Sequence, residues 1–153
     1  MKHLTVIITA IIMALTTTSC QENRDQTNEA LRDAEIALDQ GDMRTAASVT
    51  QHLVGDKNLS GLTPRQLGRL SLIYMQLADS SDHSNQSEHI SSATACYRKA
   101  YELDKDSAAE FYNQVSPEHT SRVMMLSNIS ESLDTPSDTF LQTVDTVPAD
   151  TIH

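Results

Sequence analysis

Two cysteines, six histidines and a set of carboxylates are the residues of this 153-residue sequence whose types could do chemistry. Cys96 could serve as a nucleophile, which requires a nearby base or an electropositive setting to hold the thiolate. It stands one residue before Tyr97 in a stretch of helical spacing, and reads instead as a small buried core residue. His83 and His89, with Asp79, Asp82 and Glu88 near them, could clip a metal ion. A separation of six in a Ser-rich stretch is not a ligand spacing, so no metal site is assigned. His52, His119 and His153 form no sequence cluster. There is no Gly-rich phosphate loop, no Gly-x-Ser-x-Gly elbow and no paired-carboxylate motif, so neither a catalytic residue nor a cofactor is expected. Two charged pairs remain. Arg65 and Arg69, and Glu35 and Asp39, are each spaced i, i+4, which puts both members on one face of a helix.

The elements that would carry these residues follow from composition and spacing. The length leaves room for one domain at most. Aromatic residues make up 4% of the chain and Trp is absent, so the core must be built from Leu, Ile, Val, Met and Ala. That suits closely packed helices better than a sheet sandwich, and the expected class is all-α. The first 20 residues hold one Lys and no acid, which leaves 10 basic against 21 acidic residues, a formal −11. Such a surface repels nucleic acid and anionic headgroups, and no nucleic-acid partner is expected.

Met1-Lys2-His3 followed by the apolar run Leu4 to Leu15 and the small residues Thr16 to Ser19 has the three-part pattern of a secretory signal, too short for a spanning helix. Thr17-Thr18-Ser19-Cys20 resembles a bacterial lipobox, with the departure that Leu15 lies five residues before the cysteine rather than three. The resemblance implies cleavage before Cys20, acylation of Cys20 (palmitate among the chains) and a lipid anchor. Several chains matter, because each buried CH₂ contributes about 0.8 kcal/mol and one chain anchors only marginally. The other reading is an ordinary cleaved signal with Cys20 a free thiol. Gln21 after the cysteine implies the cell outer membrane under the lipoprotein sorting rule; the periplasmic face and the cell surface both stay open. Residues 1–19 are thus a signal peptide and 20–26 a lipidated tether.

From Thr27 the apolar positions Leu31, Ala34 and Leu38 have helical spacing, with Thr27 or Asn28 as cap and Gly41 as the stop. Met43, Ala46, Thr50 and Leu53 repeat the spacing up to Gly55. Thr63-Pro64-Arg65-Gln66 is a capping-box start with Pro at the first helical position, and Leu67, Leu70, Ile73, Tyr74 and Leu77 line one face of the helix it opens. Asp79 to Ser91 reads as a polar insertion looping into solvent before a helix over about 87 to 104. Asp106 is expected to cap a short helix over 107 to 114 that turns Phe111, or Phe111 and Tyr112 together, back onto the preceding pair. Ser116-Pro117 then opens a last helix with Val123, Leu126, Ile129 or Ser130, and Leu133 on one side.

Ala93, Tyr97, Ala100, Tyr101, Leu103 and Asp104 are spaced as in the second helix of a tetratricopeptide (TPR) repeat, and Gly41-Asp42-Met43-Arg44-Thr45-Ala46 resembles the turn inside such a repeat. The chain is therefore similar to a bacterial lipoprotein with TPR-like repeats. The family's closing Pro is replaced by Lys105. Its register over the third helix has two solutions, Leu67-Gly68 at about a 34-residue spacing from the first repeat, or Leu70-Ser71 with Tyr74 and three inserted residues. The resemblance implies a short array of antiparallel helix pairs over 27–133, about two repeats plus a degenerate capping helix or two. It also implies an inner groove lined by the first helix of each pair. On the first register Arg65, Arg69, Glu35 and Asp39 face that groove, either gripping an extended peptide or neutralising one another in cross-helix ion pairs. The family's clamp of Lys and Asn for carboxylate tails is absent.

Residues 134–153 hold two prolines and no Lys or Arg, and read as a disordered acidic, Asp-Thr-rich tail. Asp145-Thr146-Val147 and Asp150-Thr151-Ile152 resemble an O-glycosylation sequon of envelope proteins, which makes Thr146 and Thr151 candidate acceptors. The expected function is a membrane-anchored, non-catalytic scaffold for a protein or peptide partner in the cell envelope. The rival is a structural accessory subunit of a larger outer-membrane complex. So short an array should be marginal alone, which points to a partner or to self-association.

Overall fold

A computed structural model describes residues 24–57 and 59–134. The expected signal peptide, Cys20, and the residues from 135 onward with Thr146 and Thr151 lie outside the described residues. Six α-helices and one short 3-10 helix are present, with no strand among the described residues: α1 over 24–39, α2 Met43–Lys57, the 3-10 turn Leu59–Gly61, α3 Pro64–Asp79, α4 His83–Leu103, α5 Lys105–Asn113 and α6 Pro117–Asp134.

Local chemistry explains most of the boundaries. Gly41 takes φ 76°, and the N–H groups of Gly41 and Asp42 bond the carbonyls of Leu38 and Ala37, which closes α1 in the way glycine permits. Asp42 opens α2 in the next step. Its Oδ1 accepts from the Thr45 N–H at 3.0 Å and its Oδ2 from the Thr45 hydroxyl at 2.7 Å. Those bonds hold its carboxyl below the usual range. At α3 both arms of the capping box are made, Thr63 N–H to Gln66 Oε1 at 3.0 Å and Gln66 N–H to Thr63 Oγ1 at 3.3 Å.

Several boundaries differ from expectation, most of them because contacts distant in sequence or a neighbouring cap outweighed local propensity. Residues 24–26, expected in the tether, are helical, and Thr27 is buried inside α1 rather than capping it. The Gln66 side chain secures this first turn by donating to the Asn28 Oδ1 at 3.1 Å and the Arg24 carbonyl at 3.5 Å. Helix α2 runs past Gly55 to Lys57, since one interior glycine costs only about 1 kcal/mol. The looped insertion is absent. Only 80–82 connect α3 to α4, which starts at His83, and the Asp82 carbonyl accepts from Asn85 and Gln86. His89 stacks on Tyr74 with centroids 6.0 Å apart, giving this polar stretch a packed partner. Finally, Asp104 rather than Asp106 caps α5. Its Oδ1 accepts from the N–H groups of Asp106 and Ser107, both at 3.1 Å, and Asp106 sits inside the helix.

Helix α3 is the centre of the molecule. Sequence spacing gave it one buried face, yet Leu72, Met75 and Ala78 are buried along with Leu67, Leu70, Ile73, Tyr74 and Leu77. A helix apolar over most of its circumference belongs largely in the interior, and only a narrow side with Arg65 and Asp79 stays exposed. It packs most extensively on α4 and also meets α2, α5 and α6. The α4 residues Ala93, Cys96, Tyr97 and Ala100 complete the core with Leu31, Ala34 and Leu38 of α1. Each such Leu contributes roughly 1.5–3 kcal/mol by leaving water. Thr50 sits fully buried on α2 because its hydroxyl bonds the carbonyls of Ala46 and Ala47.

Helix α5 is keyed to α3 through a glycine. A Cβ on Gly68 would lie 2.3 Å from Phe111 Cδ1, so the ring occupies space only glycine leaves open. One turn on, the buried hydroxyls of Ser71 and Tyr112 share a hydrogen bond of 2.9 Å. Tyr112 also joins Tyr97 and Tyr101 in a ring cluster, with centroids 4.9 Å and 5.8 Å from it. Helix α6 buries only Leu126. Ion pairs of Arg122 with Asp79 at 2.9 Å and of Asp134 with Arg98 at 2.6 Å link it to the end of α3 and to α4. Asp134, expected as the first tail residue, is the last residue of α6.

Candidate functional site

A cleft of about 320 Å³ opens where α1, α3 and α5 come together with the start of α6. Its floor is Leu72 and Ile73 of α3 with Phe111 and Val115; its rim is Glu35 and Asp39 of α1, Arg69 and Gln76 of α3, and Glu118 and His119 of α6. Helical period explains who reaches it. Glu35 and Asp39 are one turn apart on α1, as are Arg69, Ile73 and Gln76 at i, i+4 and i+7 on α3.

Three of the four charged residues picked out in the sequence meet here. Arg69 grips Glu35 with two parallel bonds, Nε to Oε1 at 2.8 Å and Nη2 to Oε2 at 2.7 Å. The arginine is largely sheltered and the carboxylate about two-fifths exposed, so the pair contributes on the order of 0–1 kcal/mol. Asp39 lines the cleft with no side-chain partner among the described residues. Arg65 is exposed on α3 and does not line the cleft.

Because Arg69 and Glu35 cancel, the charge the rim offers a visitor is that of Asp39 and Glu118. Glu118 Oε1 accepts from the Ser116 hydroxyl at 2.8 Å and stands 3.9 Å from His119 Nε2; His119 Nδ1 is 3.1 Å from Arg122 Nη1. An apolar floor under two carboxylates suits a cationic side chain flanked by apolar ones. Phe111, Val115, Glu118 and His119 were not picked out as site residues in the sequence. The available signal was Phe111, one of only two Phe in the chain, at helical distance from a capping Asp.

The other chemistry-bearing residues are placed elsewhere. Cys96 is buried in the core, and burial pushes its thiol up to about 12, which makes it a poor nucleophile. Burial also raises Tyr101, to about 12, and Tyr112. His83 is exposed and His89 lies against Tyr74; among the described residues no group of three or more His, Cys, Asp or Glu is placed to hold a metal. No described helix is long and apolar enough to cross a membrane. Comparison of the chain with protein-family models, with curated proteins and with solved structures found no match.

Proposed function

We propose that this chain is a lipid-anchored, TPR-like lipoprotein that serves as a non-catalytic scaffold, seating a protein partner in the cleft between α1, α3 and α5 at the bacterial outer membrane. The observation that carries the reading is the cleft's make-up. Its walls come largely from the first, third and fifth helices, the alternate-helix lining that a groove in such an array requires. The connections agree with pairing: 40–42, 80–82 and 114–116 are three residues each, and links that short favour antiparallel neighbours. The Phe111 ring over Gly68 supports the register that begins at Leu67-Gly68. On this reading α5 and α6 form a third pair, and the three units meet the minimum a stacked array needs. The anchor rests on the pattern of residues 1–20.

The partner segment is extended and carries Lys or Arg beside apolar residues, matching Asp39 and Glu118 over the Leu72–Phe111 floor. A photo-reactive residue at Gln76, in the lipidated protein in native membranes, tests this. The expected result is a cross-linked envelope protein in near-equimolar yield, reduced at least about tenfold by Asp39→Lys with Glu118→Lys, since like charge at an interface costs more than the 1.4 kcal/mol that tenfold represents. An adduct pattern indifferent to the charge reversal would overturn the cleft as the seat.

A second reading, an accessory subunit built into a larger envelope complex, is favoured by one observation: Met124, Met125 and Leu133 of α6 are exposed. A cross-linker at Met124 capturing a partner while Gln76 captures none would select it.

A further inference from the structure

A second groove, on the opposite side of α4 from its core face, has no role in the reading above. It has a volume of about 570 Å³ and apolar walls of Leu59, Ile90, Ala95, Ile129 and Leu133, drawn from the 3-10 turn, α4 and α6. Arg98, Lys99 and Glu102 stand at one end, with Lys99 paired to Glu102 at 2.8 Å. Here the described chain stops: Asp134 pairs with Arg98 at 2.6 Å, next to Leu133 in the groove wall. We propose that the groove is the docking site of the chain's own C-terminal segment, with Phe140 and Leu141 as its anchors, in place of the unstructured tail that composition suggests.

Two observations support this occupant. Position comes first, since the segment leaves α6 at the groove's mouth and its tether is as short as a tether can be. Length agrees. The groove follows α4 from Arg98 back to Ser87, about 16 Å at 1.5 Å per residue, and the six residues from Asp134 to Phe140 span up to about 20 Å when extended. Tethering makes even modest contacts sufficient, because linked segments meet at an effective concentration in the millimolar range.

The consequence is a chain that covers its own apolar groove, leaving the α1–α3–α5 cleft as the open surface. The test places a photo-reactive phenylalanine analogue at Phe140 of the full chain and maps adducts by mass spectrometry. Expected are adducts within one chain at Ile90, Ala95 or Leu59, cut at least about tenfold by Ala95→Asp, which sets a charge in the apolar wall at an exposed helix position. Ser91→Asp, also at an exposed position of the groove wall, is the second variant, should the first disturb the fold. Adducts only between two chains, adducts on the α1–α3–α5 cleft, or no adduct at all would each overturn the proposal. None of these outcomes depends on whether the cleft captures a partner.

Discussion

Helices α3 and α6 are of similar length, 16 and 18 residues, and each opens with proline, yet they bury very different amounts. Helix α3 is buried on nearly every face, whereas α6 buries Leu126 and leaves Met124, Met125 and Leu133 exposed. Apolar content alone does not account for this. Met124, Met125 and Leu126 are consecutive, and successive helical residues turn by about 100°, so no one neighbour can cover all three. Helix α3 escapes the same limit because other helices surround it. An apolar residue stabilises a helix only where the fold supplies something for it to touch.

The comparison breaks most simply by truncation. Leu70→Ala on α3 should cost about 2–5 kcal/mol in urea unfolding, and Met124→Ala on α6 should stay within about 0.5 kcal/mol. Similar costs at the two sites would mean that α6 is covered in solution. Next in size is Gly68→Ala. The new methyl must displace the Phe111 ring, at about 1–3 kcal/mol, less about 1 kcal/mol of gained helix propensity. Adding Phe111→Ala to that variant should remove the clash and leave strong non-additivity in the double-mutant cycle. A stabilised single variant would show that the ring moves aside freely. The smallest effect is Tyr112→Phe, about 0.5–1.5 kcal/mol and near the lower end. Ser71 keeps its 2.7 Å bond to the Gly68 carbonyl, so no buried hydroxyl is orphaned. A loss several times larger would show that the ring cluster depends on that hydroxyl.

What the sequence made legible was local. Gly41-Asp42 and Thr63-Pro64-Arg65-Gln66 state their turns within four residues, and both appear as expected. The periodic sets Leu31, Ala34 and Leu38, and Ala93, Tyr97 and Ala100, mark buried faces for the same reason. Legibility failed where the deciding contact was distant. Nothing near residues 24–26 announces Gln66, and nothing in the Ser-rich stretch after Asp82 announces Tyr74 beneath His89. The meeting of Glu35 and Arg69 was legible as one of two readings through their shared register, but the loss of Arg65 from the cleft was not. The α5 and α6 side of the cleft was missed because Phe111 and Glu118 carry no motif. Their meaning lies in the neighbours that folding gives them.

One residue, Asp104, ends α4 with its backbone N–H on the Ala100 carbonyl and begins α5 with its carboxylate. The joint therefore has no slack, and it sets a phase. An extra residue after Asp104 would turn α5 by about 100° about its axis. That rotation would swing Tyr112 away from Ser71 and Phe111 out of the space beside Gly68 in one step. This stretch of chain can drift in composition while its length stays locked.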